Sequence, residues 1–279
     1  MRTLGIDLAA QFKSTAICAI EWTEDGATVE PPERGRSKEH VIAAMRRADW
    51  IGIDAPLGWP VDMVAAVASY AETGTWPRDA KPESLRYRLT DWSVVSLTRD
   101  LSPTVWPLSV SSDRIAACAW VCAALLSEFA ALTGRHPDRL RTMLTTTDPP
   151  GPGPDAQGIV EVYPAAALAM WGMTHTGYKK SSRSTDTTPL QKREAILDAL
   201  GRATSSWLTI GDDVRAACLE NDDALDALIA SLVTRSAALG QTARPHPDEL
   251  EVVRREGWIH VPNQSGLDDL GPARNTATD

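Results

Sequence analysis

The chain is poor in the residues that staple small folds or hold soft metals. It has four cysteines, Cys18, Cys118, Cys122 and Cys218, and no C-x-x-C pair. Cys118 and Cys122 lie four apart in an Ala-rich stretch, so a helix would put them on one face as packed thiols. The five histidines, His40, His136, His175, His246 and His260, are scattered, with no H-E-x-x-H or zinc-ribbon spacing. A structural zinc is therefore not expected. No apolar run reaches the roughly 18 residues of a membrane span. The longest, Ile115 to Leu132, is broken by Ser127 and Glu128. The opening MRTLGIDLAA lacks the basic segment and long apolar run of a signal peptide. A reducing cytoplasm is the expected compartment. Positive charge is also short: 28 Lys and Arg against 37 Asp and Glu leave a formal net charge of −9. Proteins that coat duplexes by neutralising phosphates are normally basic, so a general duplex-coating role is not expected. An acidic protein still meets nucleic acid when bound cations offset its site carboxylates.

What is present is an ordinary globular composition, 43% hydrophobic and 23% charged over 279 residues. Thr3–Ala9 reads as a strand that ends in an acid. Ser14–Thr23 is rich in β-formers and runs into the hairpin signal Glu24-Asp25-Gly26, after which Ala27–Glu30 reads as a third strand. Ser37 is a good N-cap for a helix over Lys38–Ala48. Trp50–Asp54 is a strand that again ends in an acid. A long excursion follows from about 60 to 157, with a helix near Val61–Glu72, a Pro/Arg-rich stretch Trp76–Asp91, a long helix opened by Ser112-Asp113 and a Pro/Gly-rich loop Thr145–Ala156. Gly158–Tyr163 is a strand stopped by Pro164, and Ala165–Trp171 looks helical. Lys180–Thr188 reads as a polar loop before a helix through Leu200. Asn221 or Asp222 opens an apolar helix to about Leu239, and Glu256–Pro262 is a short extended piece. The expected organisation is one domain over 1–262, carrying a helical insertion at 60–157 between the fourth and fifth core strands, and a flexible tail over 263–279. The order β-β-β-α-β, inserted helices, β and a late helix is that of an RNase H-like α/β fold: a mixed sheet flanked by helices.

The chemistry is carried by acids. Asp7 and Asp54 each end an apolar strand, where a charged carboxylate is costly unless paired or bound to a cation. Each alone reads equally well as a capping or turn-forming Asp. The third element is Asn221-Asp222-Asp223-Ala224-Leu225-Asp226. On a helix, Asp223 and Asp226 are i,i+3 neighbours and Asp222 and Asp226 are i,i+4 neighbours, about 5–6 Å apart at Cβ. Asp222 and Asp223 are also natural first-turn acids that favour the helix dipole, and periodicity does not choose between them. Asp226 lies past the orphan N–H groups, so capping does not account for it.

D-A-L-D-A-L, Asp223 to Leu228, resembles the late-helix motif of RuvC-type Holliday-junction resolvases. There, two acids three apart join acids on strands one and four. Asp7 and Asp54 match those strand positions, though the resolvases carry Glu at the second. A resemblance across nearly the whole chain is to the domain of unknown function 429 family. It rests on G-I-D-L-A at the start, I-D-A-P-L-G around Asp54, R-Y-R-L-T-D at Arg86–Asp91, E-V-Y-P-A-A-A-L at Glu161–Leu168, G-Y-K at Gly177–Lys179, D-D-A-L-D-A-L at Asp222–Leu228 and E-G-W-I-H-V-P near the end. The family's members are labelled predicted nucleases with an RNase H-like fold. The resemblance implies a metal-dependent nuclease. Its catalytic acids would be Asp7, Asp54, Asp223 and Asp226. Asp222 and Glu161 would be further metal ligands for Mg²⁺ or Mn²⁺, two ions being expected. Glu161 is also readable as a plain strand residue, since Val160 and Val162 point to the other face.

Arg86, Arg88, Thr90 and Asp91 form a dense polar cluster. Two arginines two apart suit a phosphate clamp, and a solvated loop with local ion pairs reads as well. Tyr178 and Lys179, with Lys180, Arg183, Lys192 and Arg193 close by, make the best basic patch and complete the expected substrate-binding set. The ten tryptophans fall mostly inside apolar runs, which favours core packing over base stacking. The expected partner is a nucleic acid substrate, with no membrane. Two other functions stand beside the nuclease. A phosphotransferase of the actin and sugar-kinase type shares this core, and Gly5–Ser14 faintly resembles its first phosphate loop. A duplicated core and a second Gly-rich loop, which that class needs, are not visible. A catalytically silent binding module is the other.

Overall fold

A computed structural model describes residues 1–134, 158–179, 188–263 and 267–272. The expected loops at 145–156 and 180–187, with His136, Lys180 and Arg183, lie outside the described residues, as does 273–279. Among the described residues eight strands form one mixed sheet: β1 (Arg2–Asp7), β2 (Ala16–Trp22), β3 (Ala27–Val29), β4 (Glu33–Arg34), β5 (Trp50–Asp54), β6 (Gly158–Val162), β7 (Leu208–Thr209) and β8 (Ile259–His260). Their spatial order is β7-β3-β2-β1-β5-β6-β8, with β4 paired on β2. The first three sequence-expected strands form the antiparallel meander β1-β2-β3. β5, β6 and β8 extend the sheet in parallel from β1. The two-residue strands β4 and β7 carry too short a pattern to be read from sequence.

Helices cover both faces. α1 (Lys38–Met45) begins at Ser37, whose side chain accepts a hydrogen bond from the His40 N–H at 3.2 Å, as its cap chemistry predicts. Between β5 and β6 come α2 (Val61–Thr73), α3 (Pro82–Arg86), α4 (Leu89–Thr98) and α5 (Ala116–Thr133). α5 starts later than Ser112-Asp113 suggests, because those residues are used in a turn in which the Asp113 carboxylate accepts from the Ser109 N–H at 2.8 Å. By length and composition α5 is long and apolar enough to cross a membrane, and its Cys122, Leu125, Leu126 and Phe129 pack with Ile6 and Ile53 of the sheet and Met45 of α1. After β6 come α6 (Pro164–Met170), α7 (Thr188–Thr204), α8 (Asp212–Glu220), α9 (Asp222–Ala238) and α10 (Leu250–Glu256). The stretch read as a polar tail contributes Leu267 and Leu270 to the main core, both buried.

The placement of α9 decides the site. Strands β1 and β5 each end in Gly-Ile-Asp, and they pair in register: Gly5 with Gly52, Ile6 with Ile53, Asp7 with Asp54. The two glycines face α9. A Cβ on Gly5 would run into the Ala227 carbonyl and the Ser231 N–H, and one on Gly52 into Thr234 Oγ1. Without them the helix could not lie directly on the central strands. Thr3 Oγ1 to Ser231 Oγ at 2.8 Å confirms the contact. Alternation then sends Ile6 and Ile53 into the α5 face and returns Asp7 and Asp54 to the α9 face.

Candidate metal centre

Asp7 and Asp54 are the last residues of adjacent central strands, so the register alone sets them side by side. Asp226 sits one turn into α9, on the flank that meets those strand ends. One carboxylate oxygen from each of the three lies within 4.8 Å of the others. Asp7 and Asp54 are half-buried and Asp226 is 1% exposed. Asn221 caps α9 through its side chain, which accepts from the Asp223 N–H at 3.0 Å. That fixes which turn of the helix carries Asp226. Asp222 and Asp223 occupy the first turn, outside the converging triad. Asp222 lines a separate hollow with Glu33 and Arg34.

The electrostatics are those of acids crowded out of water. Desolvation first, then Asp226 and Asp54, hold the Asp7 carboxyl well above the ordinary carboxylate range. Desolvation raises Asp54 to about 7 against the opposing pull of Lys179. Asp226 is raised by burial, although Lys179 and Tyr178 work the other way. Asp223 is raised by burial and by Asp222 and Asp226.

Tyr178 and Lys179 both reach Asp226. The buried Tyr178 hydroxyl donates to Asp226 Oδ1 at 2.8 Å. Lys179 Nζ lies 2.6 Å from Asp226 Oδ2 with its side chain 55% exposed. That oxygen is buried, and the Lys179 ammonium is its charge-assisted partner. Burial opposes the Lys179 charge, but Asp226, Asp54 and Asp7 together raise its pKa. Sequence reasoning put both residues at the substrate. Tyr178 instead orients a triad acid, and Arg193, from the same basic patch, donates to the Tyr178 carbonyl at 2.7 Å and to Leu219.

The Arg86–Asp91 cluster goes elsewhere. Arg88 is 2% exposed, and all five of its guanidinium donors are used. Nη1 meets Glu161 Oε2 at 2.8 Å and the Glu256 carbonyl at 3.3 Å. Nη2 meets Glu161 Oε1 at 2.7 Å and Asp91 Oδ1 at 3.0 Å, and Nε meets Asp91 Oδ2 at 3.3 Å. No donor remains for a phosphate, which corrects the clamp expectation for Arg88 and Asp91. Thr90 accepts from the Ile259 N–H at 2.7 Å and so ties α4 to β8. Glu161 pairs in register with Ile53, not with Asp54, and therefore points to the sheet face away from the triad. Its carboxylate is held by Arg88 and by the Leu57 N–H at 3.0 Å. These contacts leave it outside the triad's ligand set. Glu256 completes this latch, its two oxygens accepting from the first N–H groups of α2 and α4 at 2.8 and 2.6 Å. Arg86 is exposed, with Nε on Ser112 Oγ at 3.2 Å and its guanidinium 5.2 Å from the Tyr87 ring.

A cleft of about 330 Å³ opens beside the triad. Its walls include Asp54, Lys179, Tyr163, Trp106 and Arg114. Trp106 and Arg114 carried no periodic or motif signal and were missed. Residues 5–251 match the family model described as Protein of unknown function (DUF429). No curated protein and no solved structure matches the chain.

Proposed function

The chain belongs to the DUF429 family, and on that premise we propose that it is a divalent-metal-dependent nuclease with an RNase H-like core. One observation carries the reading. Three carboxylates from three separate elements converge at the ends of the central strands, and the one lysine that meets them, half in solvent, does not balance their charge. The donor set is all hard oxygen, which suits Mg²⁺ or Mn²⁺. Asp7, Asp54 and Asp226 would hold the first ion, and Asp223, whose charge acts on Asp7, is a further acid for a second. When bound, a divalent ion supplies positive charge to a phosphodiester and eases deprotonation of an attacking water. The chain's own residues set the stage for it. Tyr178 fixes the Asp226 rotamer through its hydroxyl. Lys179, half in solvent, neutralises part of the triad when no ion is present and is within reach of a phosphate entering the cleft. The Gly5 and Gly52 approach keeps α9, and hence Asp226, from shifting along the strands.

Cytoplasmic residence belongs to the same proposal and is supported by four cysteines that form no disulfide. A second reading, a silent module on this fold, is favoured by the Lys179–Asp226 pair, which partly balances the charge without any metal. Calorimetric titration with Mn²⁺ separates the two: the nuclease binds and the silent module does not. Hydrolysis of a panel of single-stranded, duplex, hybrid and branched substrates with Mn²⁺ then tests the activity. Equal trace cleavage by wild type and Asp7→Asn would mark the cleavage as contamination and remove the proposal.

A further inference from the structure

We propose that Trp106 and Arg114 form a subsite for an unpaired nucleobase and its phosphate, so that the substrate is a single-stranded segment. The inference rests on the nuclease reading for its chemistry but not for its test. Trp106 is 54% exposed on the wall of the cleft that also contains Asp54 and Lys179. Its ring is braced edge-on by Tyr87, centroids 6.5 Å apart, and by Trp92 at 5.9 Å, with interplanar angles of 62° and 78°. A braced indole that still exposes half its surface is preorganised to stack on a planar ligand. The segment between Trp106 and Arg114 is held by a buried hub. Ser109 Oγ donates to the Arg86 carbonyl at 2.7 Å and accepts from the Ser111 and Ser112 N–H groups, and Asp113 accepts from the Ser109 N–H. Both residues are therefore presented from a fixed turn.

Arg114 lies on the same cleft, exposed and without an ion-pair partner among the described residues. The cleft thus offers an aromatic face, a guanidinium and an ammonium beside a set of carboxylates. A nucleotide has the matching parts: a π-face for the indole and an anionic phosphate for the cations. The volume, about 330 Å³, is at the lower end of small-ligand pockets, which suits one nucleotide rather than a duplex. A base held in a stacked pair keeps its faces covered, so only an unpaired or extruded base can meet Trp106.

The test is equilibrium binding in EDTA, where no turnover intervenes, read by anisotropy of end-labelled strands. The probes are a short oligothymidylate, an abasic strand of equal length, and a blunt duplex. Wild type should bind oligothymidylate about tenfold tighter than the abasic strand, the scale of one stacked base, and tighter than the duplex. Trp106→Ala should erase the gap between base-bearing and abasic strands, and Trp106→Phe should keep most of it. Arg114→Ala should weaken both strands by the same factor. Equal wild-type affinity for oligothymidylate and abasic strand overturns the subsite without any variant having to fold. So does a gap unchanged in Trp106→Ala, or no binding of either strand. A base-dependent gap in a protein that cleaves nothing would remove the nuclease reading and leave the subsite standing.

Discussion

Two clusters of acids border one cleft, and they are built differently. In one, Arg88 stands between Asp91 and Glu161, and each of the four carboxylate oxygens accepts a hydrogen bond from the guanidinium. In the other, Asp7, Asp54 and Asp226 face one another with a single half-exposed lysine. That lysine meets Asp226 Oδ2, and among the described residues no hydrogen bond is found to the carboxylates of Asp7 or Asp54. The first arrangement satisfies its charges internally, at a desolvation cost that good geometry offsets. The second leaves an excess of negative charge at a cleft, which is the condition for binding a cation from outside. A closed network holds the fold; an open one is available for function.

The largest effect that would sharpen this contrast is on activity. Asp7→Asn should lower Mn²⁺-dependent cleavage by at least about a thousandfold, roughly 4 kcal/mol of transition-state stabilisation, while leaving the melting temperature in EDTA unchanged or higher. Far-UV circular dichroism with a cleavage time course checks both halves. A variant that loses activity only because it unfolds would break the comparison. Arg88→Ala should do the reverse. It strands two buried carboxylates, and removing one partner of a buried pair costs about 3–5 kcal/mol. Urea denaturation should show that loss whether or not Mn²⁺ is added. A change below about 1 kcal/mol would mean the latch is not what holds α4 to β6 and α10.

A smaller effect tests the link between the open cluster and its support. Tyr178→Phe deletes the hydroxyl that fixes Asp226 and keeps the packed ring. Loss of such an outer partner typically costs 10–100-fold in metal affinity. Titration calorimetry should find Mn²⁺ binding weakened by about tenfold, with stability in EDTA little changed. Unaltered affinity would show that Tyr178 packs against Asp226 without orienting it.

How far the sequence spoke depends on the range over which each signal acts. Asp7 and Asp54 were legible because a strand ending in an acid is a local pattern, and Asp226 because capping could not account for it. The repeat of Gly-Ile-Asp at 5–7 and 52–54 was in plain view, but its meaning needs the register, a long-range property. The R-Y-R-L-T-D cluster reads equally as a phosphate clamp and as a set of local ion pairs, and the sequence does not choose between them. A buried arginine and a phosphate-binding arginine have the same local sequence, and only the position of Glu161, 73 residues away, separates them. Parity on β6 already hinted that Glu161 faced away from the triad. The tryptophans were read as core from their apolar neighbours. That holds for Trp22, Trp50, Trp207 and Trp258, and fails for Trp76, Trp92, Trp106 and Trp120, which are exposed. Helices with one face on the sheet can be apolar all round, so local hydrophobicity does not report exposure.

The smallest expected effect is on the pH dependence of stability, and it bears on the sign of the open cluster's contribution. Burial raises the Asp54 carboxyl in the folded protein to about 7, well above the ordinary aspartate value of about 3.9 in the unfolded chain. The native state therefore binds this proton more tightly than the unfolded chain. Stability from this group is greatest below the unfolded value and falls as pH rises from about 4 to about 7, where the native carboxyl finally ionises. An acid with a depressed pKa, as in an ordinary surface pair, would slope the other way. Other groups titrate in the same range, so the quantity to measure is the difference between wild type and Asp54→Asn, from denaturant melts at pH 4.5 and pH 8 in EDTA. Wild type should lose ground to the variant by about 1 kcal/mol across that interval, a figure reduced for partial solvent screening of a half-buried site. Saturating Mn²⁺ should reverse the order at pH 8, because an ion bound only to the native state stabilises it by mass action and the variant lacks a ligand for it. If the difference stays flat with pH in EDTA, the three carboxylates are not crowded in the native protein, and the contrast between a closed and an open cluster fails at its open end.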